Sequence, residues 1–232
     1  MHRKDIREIK KSQYVMKVNK VIFWGGTGQA KVLRPIVDSI YNHKLVAVFD
    51  DTKNLIPPFE DVPLYYGWTQ FNEWVKDNPN CKFVVTIGNP NAIIRRQISE
   101  KLILSGLKPI NIIDKSSIVQ PYTKIGTGVQ IHPGVIINPF AEIGDYCIIN
   151  TRALIEHDDV LKDGVEVGPG AILCGQVNVG ENTWIGAGAT VRDKLTIGNN
   201  CIIGAGSVVV KDIPNNSVVV GNPAKFLRYN DE

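Results

Sequence analysis

Aliphatic residues recur at every sixth position through the C-terminal half of the chain. Stepping by six from Ile113 to Val209 meets 17 positions, and every one is Ile, Leu or Val. At a background of roughly one in three, such a run has a chance of about 10⁻⁸, so the hexad is a structural repeat. Glycine follows the aliphatic residue at Gly126, Gly144, Gly168, Gly180, Gly186, Gly198 and Gly204. The position two before the aliphatic residue is usually small or β-branched, as at Thr123, Ala141, Cys147, Ala153, Ala171, Ala189 and Ser207. A period of six fits neither the two-residue alternation of an amphipathic strand nor the seven-residue repeat of a coiled coil. It predicts a β-solenoid, in which each hexad is one short strand plus a corner and the inward aliphatic residue stacks on its equivalents.

The first half follows another rule. Lys20–Trp24 reads as an apolar strand ending in Gly25-Gly26-Thr27-Gly28, with a helix from Gln29 to about Tyr41. Leu45–Phe49, ending in Asp50-Asp51, and Lys82–Ile87, ending in Gly88-Asn89-Pro90, read as further strands. A helix through Arg95, Arg96 and Leu102 follows. Apolar strands spaced by helix-length segments predict a small α/β domain with a parallel sheet. The expected organisation is a polar extension over 1–16, the α/β domain over 17–109 and the solenoid over 110–232.

Composition narrows the partners. The formal charge of +3, from 26 basic and 23 acidic residues, is too mild for a nucleic-acid footprint. No apolar run approaches the length of a membrane span. Arg3, Lys4, Arg7, Lys10 and Lys11 crowd an N-terminus without an apolar core, which argues against a secretory signal. Cys81, Cys147, Cys174 and Cys201 are widely spaced, and free thiols in a reducing cytoplasm are expected.

The aliphatic-Gly-x-x-x-x hexad resembles the left-handed parallel β-helix of hexapeptide acyltransferases. The ending Gly221-Asn222-Pro223-Ala224-Lys225 resembles the terminal signature of their acetyl-CoA-dependent members. A Rossmann-like domain opening with Gly-Gly-Thr-Gly ahead of this solenoid is similar to the nucleotide-sugar N-acetyltransferases of the bacillosamine and perosamine type, a family that includes proteins labelled sialic acid O-acetyltransferases. The resemblance covers about residues 19–228. It implies coils of three hexads, a homotrimer with the donor between neighbouring solenoids, acetyl-CoA as donor, no metal, and a nucleotide-linked amino sugar as acceptor. A 4-amino-4,6-dideoxy sugar of a bacterial surface glycan is the expected acceptor type.

The resemblance also assigns residues. Asn150-Thr151 and His157-Asp158 match the family's active-site motif. It makes His157 the general base and Asp158 the group that orients it and raises its basicity. One coil of 18 residues further on lies Gly175, and both the coil arithmetic and the family pattern give its N–H to the thioester carbonyl. Regions around Gly175, Ala205 and Lys225 are expected near acetyl-CoA. Glu166 stands where relatives often carry a second His, and Gln29 where they carry a His in the glycine loop. Gly25, Gly28, Gln29, Asp50, Asp51, Asn89, Asn150 and Glu166 are the expected acceptor contacts, the glycine loop offering N–H groups to phosphate. His132 reads as structural. A thiol-nucleophile mechanism through Cys174 is unnecessary, because an amine attacks a thioester directly.

Other classes fit less well. An NAD-dependent oxidoreductase would use the glycine loop but leave the solenoid unexplained. A zinc hydro-lyase needs three His ligands where the solenoid has His132 and His157. O-acetylation of a sialic-acid-like sugar, and a non-catalytic binding solenoid, remain the alternatives.

Overall fold

The computed structural model describes residues 18–88 and 90–230. The extension over 1–16 and the candidate contact Asn89 lie outside the described residues. The chain begins with β1 (Asn19–Trp24), α1 (Gly28–Ser39), β2 (His43–Asp50), β3 (Leu64–Tyr66), α2 (Gly67–Asp77), β4 (Lys82–Val85), α3 (Ala92–Leu104) and β5 (Lys108–Pro109). The five strands form one parallel sheet in the order β3-β2-β1-β4-β5. β1 is apolar on both sides because helices cover both faces of the sheet. Val21 and Phe23 pack with Leu33 and Val37 of α1, whereas Ile22 and Trp24 pack with Phe71 of α2 and Leu102 of α3.

α2 and the short β3 add to the elements expected from the sequence. Phe71 is the one α2 residue that is fully buried. The helix is held at the sheet by aromatic contacts, Trp24 stacking on Trp68 at 3.9 Å and Phe71 edge-on to Phe49 at 5.2 Å.

After β5 come 17 described strands of two residues each, from Ile112–Ile113 to Val208–Val209, and a terminal hairpin of Ser217–Val220 and Lys225–Tyr229. The two-residue strands stack into three parallel sheets, so the solenoid has three faces. Register advances by one coil at each step, as in Ile136↔Leu154, Leu154↔Ile172, Ile172↔Thr190 and Thr190↔Val208. The stacked aliphatic residues form one continuous core from Val129 to Ala224. The beginning of the repeat departs from the inward pattern: Ile113 is 37% exposed and Val119 and Ile125 only partly buried, because no coil lies beneath them.

The three faces differ outwardly. The first, carrying Ile112, Gln130, Ile148 and Glu166, is buried where the α/β domain sits on it. The second presents Ile118, Ile136, Leu154, Ile172, Thr190 and Val208, all at least partly exposed. The third presents Lys124, Glu142, Val160, Asn178 and Thr196, a mainly polar surface.

Arg95 of α3 ties the two halves together. It is 1% exposed, and its guanidinium donates to the carbonyls of Ile87 (2.8 Å), Tyr146 (3.0 Å) and Gly164 (2.9 Å), with Glu166 at 3.6 Å. Burial pushes the Arg95 pKa down and the Glu166 charge opposes that shift. Removing one partner of a buried ion pair strands the other charge, so Arg95→Ala should lower unfolding stability by about 3–5 kcal/mol. Urea denaturation checks this, and a loss under about 1 kcal/mol would contradict the assignment.

Candidate active site

The solenoid ladder brings positions 157 and 175 together. The N–H of Gln176 donates to the His157 carbonyl (3.0 Å), which stacks the Gly175 turn on the His157 turn. Within the upper turn the ladder uses the N–H of Cys174, which donates to Val191 O, and that of Gln176, and skips the Gly175 N–H between them. Gly175 has φ +65°, and a Cβ there would stand 3.1 Å from His157 Nε2. A glycine is needed at this corner for both reasons: the left-handed backbone and the close imidazole.

Asp158 also turns the corner in the left-handed region, at φ 60°. Its Oδ2 lies 2.8 Å from His157 Nδ1. That hydrogen bond, more than any other influence, holds the His157 pKa above its ordinary value, and the charges of Asp158, Glu156 and Asp159 add to it. With Nδ1 donating to the carboxylate, Nε2 carries the lone pair and faces Gly175. His157 is 57% exposed at its side chain, so a substrate can reach it. The arrangement sets an imidazole bonded to a carboxylate beside a backbone N–H that the ladder does not use.

Ala205 lies exposed at a corner on the far edge of the second face, and Lys225 opens the last strand of the terminal hairpin, also exposed. The N–H of the neighbouring Ala224 donates to Val208 O (2.8 Å), which seats this end of the chain on the second face.

The residues expected to meet the acceptor divide into open and occupied. Gly28 begins α1 with open space around it, and the helix N-terminus carries no side-chain cap, so its N–H groups are available to an anion. Gly25 is bound by packing: its N–H donates to Phe49 O (2.7 Å), and a Cβ would lie 2.6 Å from Thr86 O at φ +114°. Asp51 is exposed, and desolvation followed by the neighbouring Asp50 charge raises its pKa.

Four of the expected contacts make hydrogen bonds within the chain. Asp50 does not reach outward: its Oδ2 accepts the Gly26 N–H (2.6 Å) and its Oδ1 the Thr52 N–H (2.8 Å), so it shapes the glycine loop. Gln29 is held by the solenoid, donating to Gln130 Oε1 (2.7 Å) and lying 3.1 Å from His132 Nε2. Asn150 donates to Val167 O (2.9 Å) and Glu166 Oε1 (3.2 Å), and is buried. Glu166 is 7% exposed between Asn150 and Arg95, beneath Gly88. These polar groups are engaged in joining the domains or setting a corner.

His132 is buried at the same junction, and burial pushes its pKa down to about 4, so it is neutral there. Burial raises the Cys174 pKa and nearby acidic charges raise it further, which disfavours a thiolate nucleophile. Among the described residues, no group of three or more His, Cys, Asp or Glu side chains is arranged to hold a metal ion.

Residues 20–102 match the PglD N-terminal domain, and residues 122–157 and 176–211 match the bacterial transferase hexapeptide (six repeats). The chain is similar to PerB from Caulobacter crescentus, solved in complex with CoA and GDP-perosamine. Identity is 32%, coverage 91% of this chain and 98% of that one, and TM-score 0.82. The chain belongs to the PglD-type hexapeptide acyltransferases. Membership of this family gives the solenoid its left hand, and the α/β and β-helix architecture is that of the family throughout. A second member in solved form, the acetyltransferase domain of PglB from Neisseria gonorrhoeae in complex with acetyl coenzyme A, is 29% identical. It covers 90% of this chain and 99% of that one, with a TM-score of 0.80. The GDP-perosamine N-acetyltransferase of Escherichia coli O157:H7 is 36% identical over 106 residues, 46% of this chain. The matched stretch spans about half, 48%, of that curated relative.

Two residues of this family member escape a search for substrate-facing motifs. Arg95 reads as an ordinary helix cation, and only its fully buried position distinguishes it. Asp159 carries one signal, as the charged residue among the hexad positions two before the aliphatic.

Replacing Asp158 by Asn keeps an acceptor oxygen for Nδ1 but removes the negative charge that strengthens this bond and raises the His157 pKa. In Asp158→Asn the imidazole should titrate at lower pH than in the wild type. NMR titration of the ring measures this, and an unmoved midpoint would contradict the assigned hydrogen bond.

Proposed function

We propose that this chain is an acetyl-CoA-dependent N-acetyltransferase acting on the amino group of a nucleotide-linked amino sugar. The acceptor class we favour is a GDP-linked 4-amino-4,6-dideoxy sugar destined for a bacterial surface glycan. The observation that carries the reading is His157 Nε2 facing Gly175 one coil above, with Asp158 bonded to Nδ1. The likeness to a solved relative containing CoA and GDP-perosamine supports the choice of donor and acceptor.

His157 Nε2 takes the proton of the attacking amine as nitrogen bonds to the acyl carbon. The Gly175 N–H donates to the acyl oxygen as charge develops there. Collapse of the tetrahedral species breaks the carbon–sulfur bond, and the imidazolium returns its proton to the departing sulfur. Asp158 stabilises the imidazolium while it exists. Exposed N–H groups at Gly28 suit a phosphate of the acceptor, and Asp51 suits a ribose or base. The exposed regions of Ala205 and Lys225 suit the donor.

The same layout supports a homotrimer with composite sites. The α/β domain covers the first face, whereas His157 stands at the vertex opposite that face, between the second and third. A solenoid edge of six residues spans up to about 20 Å, so a chain's glycine loop is a full face away from its own base. A second face with Ile118 50% exposed and Ile136 36% exposed suits a neighbouring copy. Four free cysteines suit a reducing cytoplasm, and among the described residues no helix is long and apolar enough to cross a membrane.

His157→Ala should lose about 10²–10⁴-fold in turnover with acetyl-CoA and a GDP-linked 4-amino sugar. Calorimetry should show acetyl-CoA binding retained. Near-normal turnover at pH 7 would exclude His157 as base. Light scattering should give about three chain masses of 25.6 kDa, and a fully active monomer would contradict the composite site.

A further inference from the structure

The interior of the solenoid carries one charged side chain in its column of small inward residues. Along that column Ala141 lies one coil below Asp159 and Val177 one coil above, and Asp159 is 0% exposed. A carboxylate buried among aliphatic residues is costly unless its oxygens are bonded. Both are. Oδ2 accepts the N–H of Glu156 (2.9 Å), and Oδ1 accepts the N–H of Val177 (2.8 Å).

These two donors belong to different turns. Glu156 begins the turn that carries His157 and Asp158. Val177 ends the turn that carries Cys174 and Gly175. Where an inward side chain is polar it takes the N–H one coil above, as Thr183 takes that of Cys201 (2.9 Å), whereas at Asp159's own corner one coil below the Ala141 N–H closes its own turn on Asn138 O (3.4 Å). The Val177 N–H instead reaches down a coil to the carboxylate. Asp159 therefore clamps the base turn and the oxyanion turn to a single side chain.

We propose that Asp159 is a positioning residue: its buried carboxylate fixes the spacing between His157 and Gly175 and places negative charge behind the imidazole. This rests on the acetyl-transfer reading above. The titratable groups facing Asp159 are Glu156 and His157 on its own turn and Cys174 on the turn above, with Asp193 beyond Cys174. Burial, the largest influence, raises the Asp159 pKa to about 7, and the Glu156 charge adds to this. The two backbone N–H bonds and the His157 charge oppose the rise. The charge of Asp159 in turn raises the His157 pKa. Protonation converts one acceptor oxygen into a donor, so one clamp bond weakens as pH falls through this range.

An unfolded aspartate titrates near 3.8 and the folded one near 7, so between those values the folded state binds more protons. Asp159 thus lowers stability as pH rises from about 4 to 7, and a residue kept at that cost is expected to serve function.

The test compares wild type, Asp159→Asn and Asp159→Ala, the last matching Ala141 one coil below. Ring NMR should show His157 titrating at lower pH in both variants. Hydrogen exchange should show the Val177 amide less protected in Asp159→Ala. Melting temperature should fall from pH 5 to pH 8 in the wild type by more than in Asp159→Ala. Turnover should drop about 10- to 100-fold in Asp159→Ala, less in Asp159→Asn, with the Michaelis constant for acetyl-CoA within about twofold. Folded variants with an unmoved His157 titration and a protected Val177 amide would overturn the proposal. If those two change as expected but the wild type transfers no acetyl group, the acetyl-transfer reading fails and the clamp stands.

Discussion

The ladder of backbone hydrogen bonds between coils governs everything else in the solenoid. Each strand is only two residues long and could not persist alone, so order comes from the stack. Its bonds recur at a fixed interval, as when Leu154 donates to Ala171 O (2.9 Å) and Ile172 to Ala189 O (2.8 Å). The aliphatic residue of each hexad then falls on its equivalent, and the core is continuous from coil to coil. The same interval decides which corner residues meet. His157 faces Gly175 for the reason that Ile155 pairs with Leu173. A one-residue insertion between positions 157 and 175 would leave the core an outward residue and separate the two groups.

Docking of the α/β domain obeys a different economy. Its junction with the solenoid is polar and buried: Arg95 with three carbonyls and Glu166, Gln29 with Gln130 and His132, and Gln130 donating to Val85 O (2.8 Å). Such groups stabilise an arrangement only when every one is bonded, which makes them sensitive to orientation. The junction therefore fixes how the glycine loop is presented. It also engages Gln29 and Glu166, two of the residues expected at the acceptor.

Particular residues show how far the sequence could be read. The hexad walk identifies inward positions because a period of six has no competing explanation, and only the uncovered start, Ile113 and its neighbours, departs. β1 and β2 are visible as apolar runs, whereas α2 is amphipathic but polar overall, with Phe71 its one fully buried residue, and its aromatic contacts with the sheet are not visible in sequence. The pairing of His157 with Gly175 follows from adding 18 to 157. Asp50, Gln29, Asn150 and Glu166 could not be resolved that way. Each is a polar residue at a strand end or corner, where a ligand contact and an internal cap look alike in sequence, and their internal partners appear only in the structure.

In the proposed reaction, coil stacking sets a base facing an oxyanion donor at one corner. A crystal structure with a non-hydrolysable acetyl-CoA analogue tests it most directly. The account predicts the acyl oxygen at hydrogen-bonding distance, about 2.7–3.2 Å, from the Gly175 nitrogen, with the acyl carbon open to a group deprotonated by His157 Nε2. An acyl group seated instead beside His132 and Glu166, at the domain junction, would contradict it.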